Sequence, residues 1–167
     1  MNVVARFVTP VVLAFAAVSS ALAQHRSAEQ EQTIKTEVKA AFDQYYAWFS
    51  EGRSDLIAAR AYQAPSLFLA PTSSDVRSSS DAVRARFEAV LKPLIADGYV
   101  RSEMPNASIC VLNETTATVS GRYIRYRKDG SIIGNLGGIY IFTKTTGSWR
   151  IVALINHEPD KVLGCSD

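Results

Sequence analysis

Histidine is the side chain whose charge changes nearest neutral pH, and this sequence holds two: His25 near the amino terminus, and His157 followed directly by Glu158. A histidine beside a carboxylate could serve as a general acid or base. Adjacent residues on a strand point to opposite faces, so the pair could equally be a solvated strand end. Metal chemistry is not legible: there is no histidine pair at helical spacing, no Cys-x-x-Cys and no cluster of carboxylates, the arrangements that hold zinc and similar ions. Gly-x-Ser-x-Gly and phosphate-loop motifs are also missing, and Gly134-Asn135-Leu136-Gly137-Gly138 lies in a strand pattern and opens no helix. No cofactor is expected.

Two further sets of residues bear on chemistry. Arg122, Arg125 and Arg127 with Tyr123 and Tyr126 have the composition of a nucleic-acid surface. Alternation places Arg125 and Arg127 on a different face from Arg122, so a solvated rim or dimer edge is expected. Formal charge agrees: it is +2, with the two signs interspersed and no run of five like charges, and nucleic acid is not expected as a partner. Cys110 and Cys165 are the only cysteines. In an oxidising compartment they could pair and pin the tail to the sheet; otherwise Cys110 is a buried inert thiol and Cys165 part of a frayed end.

The compartment follows from the first residues. Arg6 supplies a positive start, Phe7 to Val18 is an apolar run broken only by Thr9 and Pro10, and Ala21-Leu22-Ala23 before Gln24 fits a cleavage site. Residues 1–23 are therefore expected to be a signal peptide, leaving an exported periplasmic or secreted protein with no stable membrane insertion after cleavage. With 167 residues, 47% of them apolar and 20% charged, one domain with one core is expected.

The elements that must position any site fall in order. Residues 24–32 are polar and expected to be a disordered lead-in. Ile34, Val38, Ala41, Phe42, Tyr45, Trp48 and Phe49 recur with the helical period, and Gly52 ends that helix. Ser54 and Asp55 cap a second helix carrying Leu56, Ile57, Ala61 and Tyr62. Ser66 to Ala70 is a short strand, Thr72 to Ser80 a loop, and a third helix has Ser80 or Asp81 as its cap, with Val83, Phe87, Val90, Leu91 and Leu94 on its apolar side. Pro93 lies inside that pattern and could end the regular helix, with one further turn before Gly98.

From Tyr99 the period becomes that of strands: Tyr99 to Met104, Ala107 to Leu112, then three long antiparallel strands between Thr116 and Asn156, with turns at Lys128-Asp129-Gly130-Ser131 and Thr146-Gly147. Gly137-Gly138 in mid-strand predicts a bulge or a close approach to the backbone. On the first long strand Ala117, Val119, Gly121 and Tyr123 share a face. On the last, Trp149, Ile151, Ala153 and Ile155 share one face and Val152 and Leu154 the other. Three helices can cover one side of such a sheet, so the second apolar side is expected to meet a second copy of the chain in a homodimer.

This order, three helices packed on a curved, mostly antiparallel sheet, is α+β. It resembles the nuclear transport factor 2-like superfamily, which includes the SnoaL-like polyketide cyclases and ketosteroid isomerase. The residues carrying the resemblance are FDQYYAWFSEGRSDLIAARAY, SLFLAP and GSWRIVALINHEP, and it spans residues 33–159, followed by a tail at 160–167. The resemblance implies a cystatin-like cone with an internal pocket and frequent dimerisation across the sheet. It does not imply one function.

Carried over from ketosteroid isomerase, the oxyanion-stabilising tyrosine falls on Tyr45, whose phenol could donate to a developing enolate. The position of that family's general-base aspartate falls on Ala70, which cannot move a proton. Two functions are therefore expected from the resemblance. The first is a small-molecule-binding domain whose cone, lined by Tyr45, Phe49, Tyr62, Phe68, Tyr123, Tyr140 and His157, takes a small apolar or aromatic molecule. The alternative is a cofactor-independent lyase, isomerase or cyclase acting through Tyr45 and His157.

Overall fold

A computed structural model describes residues 27–165; the expected signal peptide lies outside the described residues. The first helix, α1 (Ala28–Ser50), begins inside the stretch expected to be a disordered lead-in. The cause is local. The Ser27 hydroxyl accepts from the Gln30 amide while the Gln30 side chain accepts from the Ser27 amide, both at 3.1 Å, a reciprocal capping box that satisfies two otherwise unpaired donors. Ile34, Val38, Phe42, Tyr45 and Phe49 form its buried stripe, and Gly52, at φ 70°, takes the left-handed conformation that closes the helix.

The short α2 (Ser54–Leu56) runs into a π-helical turn at Ile57–Ala61 that buries Ile57, Ala58 and Ala61. The third helix, α3 (Ser80–Ala96), is capped one residue earlier than expected, by Ser79, whose hydroxyl accepts from the Ala82 amide. Pro93 does not end it. The proline and Ala89 are both exposed, so the Ala89 carbonyl that loses its intrahelical donor is open to water.

The strands are β1 (Tyr62–Ala70), β2 (Ser73–Arg77), β3 (Tyr99–Glu103), β4 (Ser108–Asn113), β5 (Thr116–Arg127), β6 (Ile132–Thr145) and β7 (Ser148–His157). They form one sheet in the order β2-β1-β7-β6-β5-β3, with β4 also on β5; β1 and β7 are parallel and the remaining pairs antiparallel. Tyr62 thus opens a strand instead of closing a helix, and the expected loop at 72–80 contains β2. Ser73-Ser74-Asp75-Val76-Arg77 shows no apolar alternation because β2 is an edge strand, held by its pairing to β1 and largely wet.

Curvature does not come from Gly137-Gly138 acting as a bulge. These glycines sit in regular register, opposite Arg122 and Gly121 on one side and His157 and Asn156 on the other. The irregularities fall between Arg125 and Tyr126 and between Ile141 and Phe142. What the glycines allow is close approach. A Cβ at Gly137 would lie 2.2 Å from the His157 ring on the outer face, and one at Gly138 would lie 3.3 Å from the Tyr123 and Tyr140 rings on the inner face.

Between the inner face and the helices lies the core, including Val38, Phe42, Ile57, Tyr62, Val83, Val119, Phe142 and Ile151. At its rim Glu37 of α1 accepts from Lys144 Nζ at 2.6 Å and from Trp149 Nε1 at 2.7 Å. These contacts hold its carboxyl below the usual carboxylate range, the Lys144 hydrogen bond contributing most and the Trp149 bond next. A depressed folded-state pKa stabilises the fold above the unfolded value, and that stability is lost as pH falls through the folded one. The pair is half-exposed, so the effect is modest. Glu37→Gln should lower stability by under about 1 kcal/mol at pH 7, and the difference from the unmodified protein should narrow as the pH falls; chemical denaturation at pH 7 and pH 3 checks this.

The outer face is crossed by the chain itself. Ser120, fully buried on that side, accepts from the Leu163 amide at 2.9 Å. Two residues on, Cys165 is joined to Cys110, with the Cα atoms 5.5 Å apart. The tail therefore supplies some of the cover that the sequence alone assigns to a second copy. Ile139, Ile141 and Ile155, also on this face, remain half-buried.

Candidate functional site

The concave side of the sheet encloses a cavity of about 250 Å³. Each wall follows from strand or helix phase. Along β5 the inward residues Val119, Gly121 and Tyr123 are followed two positions later by Arg125, so Arg125 also turns inward. Leu136 and Tyr140 enter from β6, Leu154 and Asn156 from β7, and Phe68 from β1. Tyr45 and Phe49 close the cavity from α1, Arg86, Phe87 and Val90 from α3. A narrow recess beside it, of about 10 Å³, reaches Tyr46 and Ser102.

The phenols set its polarity. Tyr45 is ringed by Tyr62, Tyr140 and Phe87 at centroid distances of 5.7, 5.8 and 6.1 Å. Burial is the chief cause that pushes the Tyr45, Tyr46, Tyr62 and Tyr140 hydroxyls well above the ordinary phenol range, and Tyr123 rises for the same reason. All are protonated at neutral pH and can donate hydrogen bonds but cannot act as bases. The Tyr46 and Tyr140 oxygens stand 3.5 Å apart, and the Tyr123 hydroxyl donates to Asn156 Oδ1 at 3.3 Å. Tyr45 and Tyr62 lie close enough to shift one another's ionisation, yet the buried Tyr62 oxygen completes no hydrogen bond of standard geometry.

Of the residues singled out in the sequence, Tyr45, Phe49, Phe68, Tyr123 and Tyr140 line the cavity. Tyr62 stands behind it, stacked on Phe68 at 5.3 Å. His157 is not in the cone. It pairs with Gly137 on the outer face, where Nδ1 donates to the Glu158 carbonyl at 2.6 Å. The reason is the irregularity in β7: Phe142 faces Ile151 while Ile141 faces Ala153, leaving Val152 as an extra residue. Trp149 and Ile151 point inward, but beyond Val152 it is Leu154 and Asn156 that do, and Ala153, Ile155 and His157 turn out. Strict alternation from Ile151 would have aimed His157 at Tyr45; the bulge separates them. Ala70 lies at the end of β1, paired with Ser73.

Arg125, expected on a solvated rim or dimer edge, is the main cavity-lining residue that sequence reasoning misplaces. Its guanidinium lies over Tyr123 and Phe49, 5.2 and 5.4 Å from their centroids, and its Nε is buried with no hydrogen-bond partner. The available signal was the inward face of β5, which continues from Tyr123 to Arg125. Among the described residues no group of three or more His, Cys, Asp or Glu could hold a metal, and no described helix is long and apolar enough to cross a membrane.

A curved sheet wrapped on helices around an aromatic cone is the architecture of the NTF2-like proteins. Residues 36–159 match the model of the NTF2-like protein (DUF6841) family, and the chain belongs to it. Solved structures of the same fold include an NTF2-like protein with a cystatin-like fold from Novosphingobium aromaticivorans, 16% identical with a TM-score of 0.66 over 80% of this chain and 86% of that one. A protein of unknown function from Mycobacterium tuberculosis is 15% identical, with a TM-score of 0.64 over 79% and 75%. A provisionally assigned scytalone dehydratase from Novosphingobium aromaticivorans is 13% identical, with a TM-score of 0.58 over 83% and 92%. At these identities the likeness is one of fold. A search of curated proteins finds no match to the sequence.

Proposed function

We propose that this chain is an exported small-molecule-binding domain whose cone takes a small, largely apolar or aromatic molecule. The observation that carries the reading is the cavity wall: aromatic rings on most sides, a few polar groups, and no histidine or carboxylate among the residues that line it. Ligand sites are mostly apolar concavities with a small number of placed polar groups, whereas acid–base turnover needs a group able to accept a proton near neutral pH. The protonated phenols do not supply one. A lyase, isomerase or cyclase acting through Tyr45 and His157 would need two side chains that the fold holds on opposite faces of the sheet.

Export rests on the apolar leader and the Ala21-Leu22-Ala23 site. Two copies joined through the sheet would cover Ile139, Ile141 and Ile155, which the tail leaves half-buried. One native mass spectrum of protein purified from its own host tests all three statements. The expected particle is a dimer of chains that begin at Gln24 and carry one small molecule per chain, released on denaturation. Chains that retain Met1, a monomer, or an empty particle would each contradict the corresponding part.

A further inference from the structure

Arg125 has chemistry that an apolar ligand leaves unused. Its guanidinium lies on the inner face of the cone, against Phe49 and Tyr123, and it lines both the cavity and the recess beside it. The Nε is buried and makes no hydrogen bond, and among the described residues Arg125 forms no ion pair. No acidic side chain lines either space. Arg125 is only half-buried, but drawing a charge partly out of water without a partner still has a cost, and stacking on two rings recovers part of it.

Arg86, on the α3 wall, adds to the excess. Its guanidinium covers Phe68 at 4.1 Å and donates to Asp75 Oδ2 at 3.1 Å, but Asp75 also holds Arg77 at 2.7 Å. One carboxylate thus serves two guanidiniums, so the wall keeps a net positive charge. The remaining polar groups nearby are mainly donors, the phenols of Tyr45, Tyr46 and Tyr140, which burial holds protonated.

We infer that the cone's ligand is an anion, a small one-ring carboxylic acid whose carboxylate pairs with Arg125 while its ring lies among Tyr45, Phe49, Phe68 and Tyr140. The inference rests on the small-molecule reading above and narrows it. A carboxylate matches the planar donor fork of a guanidinium. A phosphate monoester, with about −1.5 to −2 charge at neutral pH, would ask for a second unpaired cation, and Arg86 is already engaged. The cavity volume lies just below the roughly 300–1,000 Å³ range of ligand pockets, which suits one ring better than a fused ring system.

Titration calorimetry on the intact mature protein, with phenylacetate and 4-hydroxybenzoate each compared with its carboxamide, tests this. The carboxylates should bind at least about tenfold more tightly than the amides, the range of a charge-assisted hydrogen bond. Arg125→Gln should lower carboxylate affinity by about tenfold or more and remove the preference for the acid over its amide, with Arg125→Lys intermediate. A thermal melt of each variant confirms that it is folded, and the acid-against-amide comparison on the unmodified protein stands without any variant. Acids and amides binding equally, or a folded Arg125→Gln that still prefers the acid, would overturn the carboxylate inference and leave the binding reading in place. No binding by either series, and no change in the tyrosine ring signals by NMR, would overturn both.

Discussion

Replacing Phe142 by alanine is expected to lower stability by about 3–5 kcal/mol, the usual range for removing a buried phenylalanine. Phe142 is 1% exposed, stands on the central strand β6 opposite Ile151, and meets Phe42 of α1 edge-on at 6.4 Å. It therefore joins the sheet to the helix that carries Tyr45. Its neighbours on α1 and the sheet are held by packing on several sides, so the cavity left behind should be only partly refilled. The melting temperature should fall by about 10 °C or more. Leu112→Ala, at a residue 58% exposed, should change it little. Equal effects from the two substitutions in urea denaturation would mean that Phe142 is not in the core described here.

Opening the Cys110–Cys165 bridge is expected to have a similar effect. The two cysteines are separated by 55 residues, a span that embraces β5, β6 and β7, and on the chain-entropy account closing a loop of that length disfavours the unfolded chain by about 4 kcal/mol. Cys165→Ser and reduction of the unmodified protein should each lower stability by up to this amount, and reductant should do nothing further to the variant. The tail should loosen as well, because the bond from the Leu163 amide to Ser120 depends on a strap anchored at both ends. Faster hydrogen exchange at Leu163 would report that loosening. Two free thiols in the unreduced denatured protein would contradict the pairing.

The long amphipathic elements were legible in the sequence because their side chains repeat. The stripe on α1, the hairpin turns at Asp129-Gly130 and Thr146-Gly147, and the three long strands all follow from periodicity and turn chemistry. Features that depend on a partner were not. The polar edge strand β2 exists because β1 offers it a ladder, and nothing in Ser73 to Arg77 announces that. The start of α1 turned on two side-chain hydrogen bonds at Ser27 and Gln30.

The site was half legible for a related reason. Its aromatic wall could be read from residue type once a cone was expected, and five of the residues named line the cavity. Its polar groups depended on phase. One extra residue at Val152 exchanges His157 for Asn156 at the wall, and because Val152 is apolar like its neighbours, the bulge leaves no mark in the pattern. Arg125 was misplaced by weighing its charge above its position two residues beyond Tyr123.

The claim that the cone holds a small molecule is tested most directly by recovering that molecule and then removing the space for it. Leu136 lines the cavity and is 36% exposed, so Leu136→Trp should fill the cavity without burying a misfit in the core. Both proteins would be purified from the native host, shown to melt alike, and extracted under denaturing conditions for mass analysis. The account predicts a small molecule recovered at about one per chain from the unmodified protein and lost from Leu136→Trp. Equal recovery from both, or none from either, would contradict it.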